Sequence, residues 1–107
     1  MSSTEFKSLV VRANSDSSHS YVAIGETLNI PTGTGKTVRA HTVLSNVSQS
    51  ASGPFNATCS ILSYVQNGEQ KQVNEPSVIT EPNVTAIEMQ IAVRNCEASG
   101  TLLVEVF

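Results

Sequence analysis

Val84-Thr85-Ala86-Ile87-Glu88-Met89-Gln90-Ile91-Ala92-Val93-Arg94 is the stretch that decides the class of this fold. Thr85, Ile87, Met89, Ile91 and Val93 take every second position, and Glu88, Gln90 and Arg94 stand between them. A period of two places one set of side chains on a core and the other in solvent, as in a strand with one wet face. A helix would need apolar residues three and four apart. The stretch is therefore read as a strand over residues 84–95.

The same alternation recurs outward from it. Val38, Ala40, Thr42 and Leu44 alternate with Arg39 and His41. Phe55, Ala57, Cys59, Ile61 and Val65 alternate with Asn56, Thr58, Ser60 and Gln66, and Leu102, Val104 and Val106 close the chain. Asn67-Gly68 lies between two such runs, and Asn-Gly is the strongest short hairpin signal. Residues 14–19, 31–35, 48–54 and 98–100 are rich in Gly, Pro, Ser and Asn and are read as loops. Seven strands follow, at about 6–13, 20–30, 36–47, 55–66, 69–79, 84–95 and 101–107. The expected fold is all-β: a single antiparallel β-sandwich domain over residues 1–107, of immunoglobulin-like or jelly-roll type. Leu44, Phe55, Ile61, Ile87, Met89, Ile91, Val93, Leu102 and Val104 form the expected core. Tyr64 takes the outward parity of its strand.

Composition narrows the function. The chain has 107 residues, 39% hydrophobic and only 14% charged, with net charge −3. Six scattered Lys and Arg residues do not make the basic patch that nucleic acid requires, so no nucleic-acid partner is expected. Apolar runs of four or five residues fall far short of the roughly 20 needed to span a bilayer, so no membrane partner is expected. Residues 1–7 lack a basic segment followed by an apolar stretch. Synthesis in a cytosol, or exit only inside an assembled particle, is expected on that basis.

Candidate chemistry fails on spacing. Thr32-Gly33-Thr34-Gly35-Lys36-Thr37 resembles a phosphate-binding loop, but Ile30 stands where its first glycine belongs and a strand follows instead of a helix. A strand-connecting turn is the reading there. Cys59 has inward parity and Cys96 outward parity, and no Trp accompanies them as in an immunoglobulin core. A bridge between them needs a bulge or bend just before Cys96, so free thiols are expected. Neither cysteine has a metal-ligand companion at short spacing. His19 and His41 are read as solvated, and no triad or carboxylate pair converges. No enzyme activity, cofactor or metal is expected. Asn46, Asn56 and Asn83 each begin a glycosylation sequon, at about the frequency chance gives.

Residues 26–48, Glu-Thr-Leu-Asn-Ile-Pro-Thr-Gly-Thr-Gly-Lys-Thr-Val-Arg-Ala-His-Thr-Val-Leu-Ser-Asn-Val-Ser, resemble a pattern of small virion proteins of tailed bacteriophages. There a strand ends in a Pro-Gly-Lys-Thr-like turn and a long strand closes in an Asn-Thr/Val-Ser turn. A further strand follows, here 56–66, and a short apolar strand ends the chain, here 102–107. The resemblance covers about half the chain. It departs at the turn, where Pro31-Thr32-Gly33-Thr34-Gly35-Lys36 is longer than the usual Pro-Ala-Gly-Lys. It implies a virion structural protein, a capsid decoration or cement protein or a tail or adaptor subunit, assembled in the host cytoplasm. Its partners are then copies of itself, as a homo-oligomer, and capsid or tail proteins. The alternative is a carbohydrate-binding or adhesin-like β-sandwich. The end strands, 6–13 and 102–107, are the expected contact edges, and Phe6, Val10, Tyr64 and Phe107 the expected partner-binding residues. Phe6 and Val10 take the face opposite Leu9 and Val11.

The strand assignment of 84–95 is testable at Ile91. Ile91→Ala is expected to cost about 2–5 kcal/mol in denaturant unfolding. A loss below about half a kcal/mol, the range of surface substitutions, would show that the assigned parity is wrong.

Overall fold

Eight antiparallel strands carry residues 4–107, the part of the chain that the structure, a computed structural model, describes. They are β1 (Glu5–Ser15), β2 (Val22–Asn29), β3 (Val38–Gln49), β4 (Asn56–Gln66), β5 (Glu69–Glu75), β6 (Ser77–Ile79), β7 (Val84–Arg94) and β8 (Cys96–Val106). A single 3-10 turn, Pro31–Gly33, interrupts them. One sheet has the order β1-β8-β3-β6 and the other β2-β7-β4-β5. The chain thus folds as a nested hairpin, with β1 on β8, β2 on β7, β3 on β6 and β4 on β5. Rolled so that β8 also pairs with β3 and β7 with β4, it has jelly-roll connectivity, with eight strands in two sheets.

The count is eight, not seven, because the expected strand 69–79 is two. Pro76 cannot donate to a ladder, so pairing stops there. The chain crosses from one sheet to the other between Glu75 and Ser77. The Pro76 carbonyl accepts from the Thr42 backbone N–H (2.9 Å) and hydroxyl (3.0 Å). Residues 98–100, expected as a loop, lie inside β8.

Five of the chain's eight Asn residues have positive φ: Asn46, Asn67, Asn74, Asn83 and Asn95. Asn is the residue besides Gly that tolerates this region, through its short polar side chain. Asn67 (φ 51°) and Gly68 (φ 78°) close the β4–β5 hairpin, the positive-φ pair that a type I′ turn requires. Asn46 sits at the register shift of β3 against β8, and Asn74 at that of β5 against β4. Asn83 and Asn95 stand where the chain passes between sheets. Each marks a change of register, direction or sheet.

The core lies between the sheets and takes alternate residues from each long strand. Ile61, Ile87, Met89, Ile91, Val93, Leu102 and Val104 are buried as expected, together with Ile30, Val38, Val84 and Val106. Three assignments are corrected. Phe55 precedes β4 and is 46% exposed. Leu44 is only half-buried, and Thr85 is exposed while its neighbour Val84 takes the core position. The β4–β7 register shifts opposite Val84, between Val65 and Gln66, which accounts for that exchange.

The phosphate-loop-like run is the 3-10 turn and its exit. The Gly33 N–H donates to the Ile30 carbonyl (3.0 Å), and the Gly33 carbonyl accepts from the Lys36 N–H (3.0 Å). A side chain at Gly33 would collide with the backbone carbonyl of Val84, whereas Gly35 faces open space at φ 73°. Gly33→Ala is therefore expected to destabilise by about 3 kcal/mol, the upper end for overpacking. Gly35→Ala should cost about 1 kcal/mol, for backbone strain alone. Thermal or urea unfolding compares the two. A smaller loss for Gly33→Ala would show that the Val84 contact does not fix the glycine.

Candidate interaction surface

The pairing registers place the outer face of the first sheet in rows. Phe6, Glu105, Arg39 and Ile79 form the first. Ser8, Leu103, His41 and Ser77 form the second, and Val10, Thr101 and Val43 the third. Residues directly opposite in an antiparallel pair share a face, so these side chains all point away from the core.

The face is apolar. Phe6 is 75% exposed, Ile79 67% and Val10 57%, and Val43, Leu103 and Phe107 are also exposed. Six of the ten exposed large apolar side chains among the described residues lie here, so the patch is not the single scatter found on ordinary surfaces. The Arg39 guanidinium lies 5.4 Å above the centre of the Phe107 ring, within cation–π range. Two shallow grooves run along the face. One, of about 330 Å³, is lined by Phe6, Ser8, His41, Leu103 and Glu105. The other, of about 400 Å³, is lined by Arg39, His41, Ser77 and Ile79.

The outer face of the second sheet is built differently. Its rows read Ala23, Ala92, Thr58; Gly25, Gln90, Ser60; and Thr27, Glu88, Ser63, Gln72. The Ser63 hydroxyl donates to the Glu88 carboxylate (3.3 Å) and accepts from the Gln70 side chain (3.1 Å). Small and hydrogen-bonded side chains make that face suited to water. The two faces of one sandwich thus differ in kind.

Of the expected partner-binding residues, the structure brings Phe6, Val10 and Phe107 onto the apolar face. Tyr64 is a correction. A bulge between Ile61 and Ser63 inserts Leu62, so Tyr64 pairs with Ile87 and packs against the core. One extra residue reverses the parity of all that follows. The expected contact edges are also revised. β1 is an edge strand, but β8 lies between β1 and β3, so its backbone is paired on both sides. The β1 edge carries Lys7 at an inward position, 3.9 Å from Glu5, the kind of charge that discourages strand addition. Exposed side chains rather than free edges define the candidate surface. Val43 and Leu103 were legible as outward residues of alternating runs. Ile79 was not, because its strand was hidden in a longer one.

A second polar cluster stands at the far end of the second sheet. The Arg94 guanidinium sits 5.3 Å above the Tyr21 ring, and the Asn56 amide donates to the Tyr21 hydroxyl (2.8 Å). No group of three or more His, Cys, Asp or Glu side chains is placed to hold a metal among the described residues. No helix there is long and apolar enough to cross a membrane. Comparison of the chain with protein-family models, with curated proteins and with solved structures finds no match.

Both thiols are free. The bend that a bridge needs is present, since Asn95 at φ 51° turns Cys96 inward and buries it, against its expected outward parity. The Cys96 thiol donates instead to the Asn56 carbonyl (3.3 Å). Burial pushes the Cys59 thiol up from its ordinary pKa of 9.0, partly offset by a hydrogen bond with Thr42. The neutral thiol is therefore the native form at pH 7, and the stability its burial supports is lost as pH rises beyond 9.0. Thiol titration of the folded chain at pH 7 is expected to be slow, with two thiols reacting once it is denatured. An intact mass two daltons low under non-reducing conditions would contradict this.

Proposed function

We propose that the protein is a structural subunit of a virion, a capsid decoration or cement protein or a tail or adaptor module, that binds copies of itself and other virion proteins. The observation that carries this reading is the outer face of the first sheet, where six large apolar side chains stand exposed among polar ones, while the opposite face is small and polar. Clustered exposed apolar side chains mark a contact surface. Its partner is a surface and not a small molecule, because the grooves on it are shallow and flanked by Phe6 and Ile79, which project outward. The jelly roll is an architecture of viral capsid proteins and of lectins alike, so the fold leaves both readings open. The resemblance of residues 26–48 to phage virion proteins favours the first.

Quantitative mass spectrometry of purified particles tests the proposal. The chain is expected in a fixed copy number per particle, and Phe6→Ser with Val10→Ser should lower its occupancy several-fold without unfolding it. Absence from particles, together with binding to a glycan array, would overturn the reading and promote the carbohydrate-binding alternative.

A further inference from the structure

We infer that the apolar face is a two-fold interface with a second copy of this chain, with Arg39 of each copy against Glu105 of the other. The inference rests on the reading of the chain as a self-associating subunit and names the contact.

The first row is its own complement. Read from β1 to β6 it runs Phe6, Glu105, Arg39, Ile79: apolar, acidic, basic, apolar. A two-fold axis in the plane of the interface, parallel to the strands and between β8 and β3, lays this row over its own reverse. Phe6 then meets Ile79 of the other copy, and Glu105 meets Arg39, twice over. The next rows place Ser8 on Ser77, Leu103 on His41 and Thr101 on Val43, while Val10 falls beyond the end of β6; the matching of charge and apolar surface rests on the first row. An isologous interface requires this self-complementarity.

Glu105 and Arg39 stand directly opposite each other within the chain, yet the ion pairs among the described residues are Lys7–Glu5 and Lys71–Glu69. Arg39 leans over Phe107 instead, which leaves the Glu105 carboxylate without a salt bridge on an apolar surface. A second copy supplies the cation. Phe6, the most exposed of the large apolar side chains, falls at the groove lined by Arg39, His41, Ser77 and Ile79, where it gains apolar cover and a guanidinium. Eleven residues at about 3.3 Å, across three long strands and one short one about 4.8 Å apart, present on the order of 600 Å² per copy, and the three matched rows about half of that. The contact reaches the lower bound of specific interfaces, about 1,200 Å² in total, only with the whole face, including Arg12 and Glu97 beyond the third row.

Sedimentation equilibrium of the full chain, with charge-swap variants, reads the contact. Wild type is expected to be a dimer. Arg39→Glu and Glu105→Arg, each checked for folding by circular dichroism, should each weaken it by about tenfold or more, and the double swap should restore it. A geometric test does not depend on those variants. Across the interface the two face-packed sheets lie about 10 Å apart, beyond a disulfide, which needs less than about 7 Å, and within reach of a short bis-maleimide. Mixed in equal amounts, the single variants Phe6→Cys and Ile79→Cys should be joined by that reagent into a covalent dimer, whereas either variant alone should not. A monomeric wild type, a double swap no tighter than the single reversals, or failure of the mixed cysteine variants to cross-link would each overturn the inference. If the chain is nevertheless present in particles, the virion reading stands and the two-fold contact alone fails. A charge-swappable dimer absent from particles would leave the two-fold contact standing and overturn the virion reading.

Discussion

The passage from β7 to β8 through the single residue Asn95 is the constraint on which the rest of the sandwich depends. These strands hold the second position of their sheets, each paired on both sides. Joining them with one residue fixes the two sheets edge to edge at that end. The residue must take positive φ and must be buried, and Asn95 does both. A buried amide is costly unless its hydrogen bonds are made. Here the side-chain carbonyl accepts from the Ala51 N–H (3.0 Å), and the NH₂ donates to the Ala51 carbonyl (2.8 Å). Its backbone carbonyl accepts from the Ser50 N–H (3.0 Å). The crossover therefore also moulds the loop between β3 and β4. Those two strands are the inner partners of β8 and β7, so one residue organises both layers.

The inner face leaves little latitude once this frame is set. Gly100 on β8 packs where a Cβ would lie 2.8 Å from the Cys59 sulfur and 3.1 Å from the Met89 methyl. A close-packed interior transmits such constraints, since no void absorbs an added methyl group. The outer faces are free of that demand, and there the two sheets diverge. Small residues and a hydrogen-bonded Ser63, Glu88 and Gln70 cover one. Exposed large apolar side chains interleaved with polar and charged ones cover the other. Phe6 and Ile79, largely exposed there, contribute little to the packing between the sheets.

The sandwich is 54 Å long and 17 Å thick in its Cα extents, a plate whose two broad sides differ in this way. The β1 edge, guarded by Lys7, resists the open-ended strand addition to which a free edge is prone. An isologous contact closes after one partner, whereas a heterologous one can propagate; the proposed two-fold contact is of the first kind.

The sequence by itself determined the class of the fold, most of its core and its hairpin. Alternation is a local property, and Ile87, Met89, Ile91 and Val93 declare their face through spacing alone. Asn67-Gly68 likewise carries its turn in two residues. Spacing also put Phe6 and Val10 on the face opposite Leu9 and Val11, but with apolar residues on both faces it could not say which face is outward. What alternation cannot show is a change of register, because one inserted residue leaves composition unaltered and reverses every face beyond it. The bulge at Leu62 turned Tyr64 inward in this way, and the bend at Asn95 turned Cys96. Pro76 divided a strand between two sheets, which brought Ile79 beside Arg39. Only tertiary structure decided which strands became neighbours, and therefore that Phe6, Glu105, Arg39 and Ile79, far apart in sequence, stand in one row.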